Sequence, residues 1–360
     1  MLSRPLTRLA AGLLLGACVE TTAPLPPPQE LLVVLNAGEA SVSIIPLTAD
    51  QVPVKVPVAA GVPLDGRLAA GREYALVTTG DGDSLSIVDL RLRRLSGTVF
   101  LGAGAGARGI ALLGDTVAWV ALSERNALAM VDLRSRAVLT VPAGVVPKDV
   151  IVARGRLFVA SANLVPCDPP GEDECPAGPS WLTVHDPVSG GRSGGTDSIP
   201  LPGPGNASFM VIGGDGRIYV LSAGGRDALE GRLSIVDPVA RTEVANFGGF
   251  GERPGPVAAD LVERIVVSSR TEGLMDFNTR TRALVRGAGN GIPLQENSGA
   301  TTDTRNQIYG VEAGTCAGVS PGRVRVFRPD FTEIRTVGVG SCPVAAVTAL
   351  IPPEEAAGVR

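Results

Sequence analysis

The sequence predicts an all-β fold: seven four-stranded antiparallel blades set in a ring, a β-propeller, closed by the C-terminal strand pairing with the N-terminal strands. Three observations predict it. A short pattern of alternating apolar residues running into an Asp recurs along the 360 residues in five clear copies and two degenerate ones. Each copy is flanked by further apolar runs of strand length, so that one unit holds four strands. The chain carries 46 Gly and 29 Pro, which punctuate it with turns, and no helical period is sustained. Repeats of this length made of four antiparallel strands assemble radially as a propeller.

The first element precedes the repeats. Arg4 and Arg8 form a basic start, and Leu9 to Ala17 is an apolar stretch too short to span a bilayer. It ends Leu15-Gly16-Ala17-Cys18, which resembles the lipobox of bacterial lipoproteins. The resemblance implies cleavage before Cys18 and lipidation (palmitate included) of that cysteine. Val19, rather than an Asp, follows it, which in Gram-negative lipoproteins implies the outer membrane, with the chain periplasmic or surface-exposed. Residues 1–17 are thus expected to be a signal peptide. Residues 18–30, rich in proline, are expected to be a stiff tether. The propeller is expected over 31–352, with a short tail at 353–360.

The repeat then runs VSIIPL (42–47), LSIVDL (85–90), LAMVDL (128–133), LTVHDP (182–187), LSIVDP (233–238), GLMDF (273–277) and VRVFRP (324–329). Before each copy lies another strand, such as YALVTT (74–79) or IYVLSA (218–223). After each comes a third run ending near glycine, such as AVLTVPAG (137–144). A fourth run opens most units, as in KDVIVA (148–153) and ASFMVI (207–212). The stretch IYVLSAGG to GRLSIVDPVARTEV (218–244) is similar to the repeat of the YVTN family of seven-bladed propellers, and the likeness covers residues 31–351. It implies the fold; such folds host many functions. The ends are out of phase with the repeat. The chain begins on a second strand (31–36) and ends on an orphan first strand (343–350). These are expected to share one blade and protect each other's edges.

Composition bounds the chemistry. With 44% hydrophobic residues the chain is not disordered, and with 4% aromatics its core must be aliphatic. His185 is the one histidine, which disfavours His-based zinc sites and a Ser-His-Asp triad. A formal charge of −4 argues against nucleic acid as a partner. Four cysteines remain after Cys18. Cys167 and Cys175 share one long loop. Cys316 and Cys342 lie in loops that emerge on the same face of the last blade, so the pairs Cys167–Cys175 and Cys316–Cys342 are expected.

The repeated Asp89, Asp132, Asp186, Asp237 and Asp276 stand at the ends of third strands, where a carboxylate caps the following turn. Arg136, Arg241 and Arg280 each follow four residues later. Gly80 to Ser84 and the glycine runs 102–106 and 248–251 read as loops. His185, Trp119 and Trp181 read as packing residues. No catalytic residue and no cofactor are expected. Aligning the units places Asp65, Arg108, Lys148, Ser208, Gly255, Ser298 and Pro343 at the starts of first strands, around the channel mouth. Of these, Asp65, Arg108, Lys148, Ser208 and Ser298 are the candidate binding residues, with Arg108 and Lys148 giving a positive edge. The function expected is a non-enzymatic binding scaffold, anchored to the bilayer, with an envelope protein, a glycan or a small anionic ligand as partner. The alternative resembles lactonase-type propellers, which hold a divalent metal in the channel; the candidate ligands would be Asp65, Asp149, Asn206, Glu296 and Asn297.

Overall fold

In the strand Gln29–Asn36, Leu31, Val33 and Leu35 pack toward one neighbouring blade, while Leu32 and Val34 pack toward the other. Side chains of a strand alternate between its two faces. A blade buried on both faces therefore reads as a continuous apolar run, which is what the second and third strands of each repeat are. The computed structural model describes residues 27–353, except 49–51, 60, 63, 65, 81, 168–173, 193–197, 226–228 and 317–319. Cys18 and Asp65 lie outside the described residues, as do the signal segment and most of the tether.

Seven four-stranded antiparallel sheets form the blades. Their innermost strands are Pro343–Ile351, Leu68–Ala70, Ala107–Leu113, Pro147–Ala153, Ala207–Ile212, Val257–Ala259 and Asn297–Thr302, for blades 1 to 7. The described core divides into seven apolar clusters, one between each pair of adjacent blades. Most of the contacts are aliphatic, and Trp119, Tyr219 and Tyr309 are the largest buried side chains. The ring closes as the repeat phase requires: Pro343–Ile351 runs antiparallel to Gln29–Asn36, from Gln29 opposite Ile351 to Asn36 opposite Pro343.

The turn caps follow the sequence in four blades. The Leu92 N–H donates to Asp89, Ser135 N–H to Asp132, Ser189 N–H to Asp186 and Ala240 N–H to Asp237. These amides hold the carboxyls of Asp132, Asp186 and Asp237 below the usual carboxylate range. Asp276 is a correction. In blade 6 the capping residue is Asn278, whose Oδ1 accepts the Thr281 N–H at 2.8 Å. Asn278 stands opposite Arg264, the place Asp132 has opposite Val117. Asp276 sits two residues earlier, largely buried, and binds the Arg264 Nε at 3.0 Å. Burial pushes its carboxyl upward despite that arginine. The left-handed residue closing the turn is accordingly Arg282, not Arg280, in line with Arg136 and Arg241.

His185 is fully buried, with its ring nitrogens 2.9 Å from the Gly190 carbonyl and 3.0 Å from the Thr183 hydroxyl. Both expected disulfides form, Cys167–Cys175 and Cys316–Cys342. The first staples the hairpin Leu164–Pro166 and Glu174–Pro176, an insertion between the second and third strands of blade 4.

Candidate functional site: the channel mouth

Each innermost strand starts at one end of the channel, and five of them start with a β-bulge. The extra residue falls within Ala107–Ile110, Pro147–Asp149, Ala207–Phe209 and Asn297–Gly299, and opposite Leu35 and Asn36 in the closing strand. A bulge leaves one residue unpaired and re-aims its side chain. The bulged residues are Arg108, Lys148, Ser208, Ser298 and Val344. Pro343, expected in this ring, instead pairs with Asn36. In blade 2, Asp65 is outside the described residues and Gly66 and Arg67 follow it. The residue two before each bulge has positive φ: Gly106, Val146, Asn206, Glu296 and Cys342. Arg253, two before Gly255, does the same in blade 6. Such a backbone is strained for a β-branched residue like Val146, so the ring of blades dictates the rim.

Side-chain roles separate from there. The Ser208 hydroxyl donates within the rim, to Asn206 Oδ1 at 2.8 Å, and that of Ser298 to the Pro343 carbonyl at 2.6 Å. Lys148 pairs with Glu174 of the stapled hairpin at 2.9 Å. Asp83 accepts N–H bonds from Gly104, Ala105 and Gly106, so its carboxylate fills the cradle that the glycine loop makes.

Two residues absent from the expected set organise the centre. Arg67 of blade 2 reaches across the channel to blade 5. Its guanidinium lies 3.8 Å from the centroid of the Phe209 ring, and its Nη2 donates to the Ser208 carbonyl at 3.2 Å. The pair bars the channel. Above it lie two cavities of about 500 and 560 Å³, and below it one of about 200 Å³; Arg67 and Phe209 line all three. The first cavity also takes in Arg108, Lys148, Glu124 and Glu174, and the second Arg270 and Glu252, while Arg253 borders both. Arg67, Arg253 and Arg270 carried no repeat signal: one sits two residues past its expected strand start and two lie in loops.

The candidate metal ligands are dispersed. Asp149 lines the channel below the bar, Asn206 the first mouth cavity and Asn297 the second. The Asn206 Nδ2 donates to the Gly224 carbonyl, the Asn297 Nδ2 donates to the Gly273 carbonyl, and Glu296 pairs with Arg270 at 3.8 Å. Among the described residues no three His, Cys, Asp or Glu side chains gather to hold a metal ion. Asp149 accepts the N–H groups of Val150 and, from blade 5, Met210, at 2.9 and 2.7 Å. Burial pushes its carboxyl up to about 6, against the pull of Arg67. A Cβ on Gly109 would stand 2.3 Å from its Oδ1, so the neighbouring blade needs glycine there.

No protein-family model matches the chain, and no curated protein matches it by sequence. Solved structures do. The hydrazine synthase of Kuenenia stuttgartiensis superposes with a TM-score of 0.61 at 13% identity, over 79% of this chain and 89% of that one. A functionally unknown protein from Desulfotomaculum acetoxidans DSM 771 gives 0.62 at 12% identity, over 90% and 99%. Apo AztD from Citrobacter koseri gives 0.58 at 13% identity, over 91% and 100%. At such identities the likeness establishes the fold and leaves function to the site: the chain is a seven-bladed β-propeller.

Proposed function

We propose that this chain is a YVTN-type propeller lipoprotein of the cell envelope, a non-enzymatic binding protein whose mouth captures an anionic group. One observation carries the reading. Among the described residues the two mouth cavities are lined by five cationic side chains, Arg67, Arg108, Lys148, Arg253 and Arg270, against the three carboxylates of Glu124, Glu174 and Glu252, with Glu296 beside Arg270 as a fourth at the edge. Those described residues leave an excess of one positive charge at the mouth of a chain of formal charge −4. Concave sites focus such a field and concentrate counter-charged ligands. The direction of the chain supports the anchor. Gln29 enters opposite Ile351, at the end of the closing strand remote from the bulged rim. A lipid on Cys18 would tether the chain from the face opposite the mouth. Among the described residues no helix is long and apolar enough to cross a membrane.

Two measurements test this. Isothermal titration of the soluble chain with citrate is expected to show binding that weakens with salt. The double substitution Arg253→Gln with Arg270→Gln is expected to lower the affinity about tenfold or more, at roughly 1 kcal/mol for each charge-assisted contact. Unchanged affinity would sink the anionic mouth. Separately, Cys18→Ser is expected to move the protein from the membrane pellet to the soluble periplasmic fraction, and its retention in the pellet would remove the anchor.

A further inference from the structure

The two mouth cavities are not independent sites. They meet at Arg67, Phe209, Arg253 and Gly255, which line both. Each alone has the volume of a small-molecule pocket; joined, they form a trough across the channel axis. Its charges are strung along it. Arg108 and Lys148 stand at the side of blades 3 and 4, Arg67 and Arg253 at the middle, and Arg270 at the side of blade 6. A compact anion uses one part of this row; a chain with acidic groups at intervals uses all of it. Apolar groups line the same cavities as the cations: Leu164, Ala223 and Pro254 in one, Leu64, Pro256 and Val344 in the other. Cavities that hold both cations and aliphatic groups match a chain that carries both carboxylate and aliphatic side groups. An extended peptide presents both, and an acidic polysaccharide has no aliphatic side groups. Sugar rings are also commonly held against exposed aromatic faces. Here Phe209 lines both cavities, and the Arg67 guanidinium covers its face at 3.8 Å.

We propose that the mouth receives an extended peptide segment of mixed acidic and aliphatic side chains, laid across the channel from blades 3 and 4 to blade 6 over the Arg67–Phe209 bar. This rests on the anionic-mouth reading and names its ligand class. Such a segment gains from linkage: once one carboxylate is seated, the next binds at high effective concentration.

The test is fluorescence anisotropy and competition titration on the soluble chain, using an end-capped eight-residue peptide of alternating Asp and Leu. It is compared with its four-residue half, with N-acetylaspartate, with an alternating Lys and Leu peptide and with an octamer of galacturonic acid. The acidic octapeptide is expected to bind at least tenfold tighter than its half. Arg108→Gln and Arg270→Gln, at opposite ends of the trough, are each expected to weaken it severalfold, with melting temperatures equal to the parent's. N-acetylaspartate binding as tightly as the octapeptide would overturn the trough and leave the anionic mouth standing. The galacturonate octamer binding more tightly, or the basic peptide binding equally, would overturn the peptide assignment. Failure of every anion, citrate included, would remove the anionic mouth together with the inference built on it.

Discussion

Deleting residues 343–351 is expected to abolish folding of the chain: no cooperative melting transition and recovery mainly as aggregate. That strand is the innermost of blade 1 and pairs along the whole length of Gln29–Asn36. Its loss opens one strand edge and strips Val344, Ala346, Ala349 and Ile351 from the two clusters that join blade 1 to blades 2 and 7. Burying one Val or Ile side chain is worth ~1.5–3 kcal/mol, and the neighbours left facing water lose a comparable amount. The total is of the order of a whole domain's stability, ~5–15 kcal/mol. An unpaired apolar edge also templates association. Deleting residues 354–360 is the control, expected to leave melting unchanged. A chain lacking 343–351 that melts at the parent's temperature would show that the ring holds without closure.

The second large effect concerns the Cys316–Cys342 bridge. It closes a separation of 26 residues and pins the entry to the closing strand, since Cys342 is buried and immediately precedes Pro343. The loop-closure relation assigns such a crosslink ~3–3.5 kcal/mol. The double substitution Cys316→Ala with Cys342→Ala is therefore expected to lower the unfolding free energy by about 3 kcal/mol, read from urea denaturation. The Cys167–Cys175 bridge spans 8 residues within a two-stranded hairpin outside the seven blade sheets. Its removal is expected to fray that hairpin and shift the global midpoint by under ~1 kcal/mol, because local units open independently of the whole. Equal losses for the two double variants, or the larger loss at Cys167–Cys175, would refute the closing-strand role.

The errors of register have two origins, a two-residue slide and a one-residue bulge. Alternation has a period of two, so sliding a strand by two residues leaves every inward and outward position unchanged. That is how Asp276 stood in for Asn278 at the blade 6 turn: both carry a side-chain oxygen, and the apolar pattern fits either. A bulge adds one residue without marking the sequence, which is why Pro343 stood where Val344 belongs. In all five bulged blades the bulged residue is the second of its strand, so Arg108, Lys148, Ser208 and Ser298 were aligned on the bulge and Pro343 one residue short of it.

Fold class, blade count, closing strand, the aliphatic character of the core and both disulfide pairs were legible in the residues alone. These follow from local periodicity repeated in phase, and repetition averages out the ambiguity of any one copy. What meets at the mouth was not legible there and follows from how the blades pack around the ring. Arg67 and Phe209 are 142 positions apart, and nothing local relates them. They touch because blades 2 and 5 lie on opposite sides of a seven-membered ring, and a long guanidinium side chain spans a channel whose width the ring sets. Arg253 and Arg270 join them from loops, where no burial constraint imposes a pattern that a sequence could display.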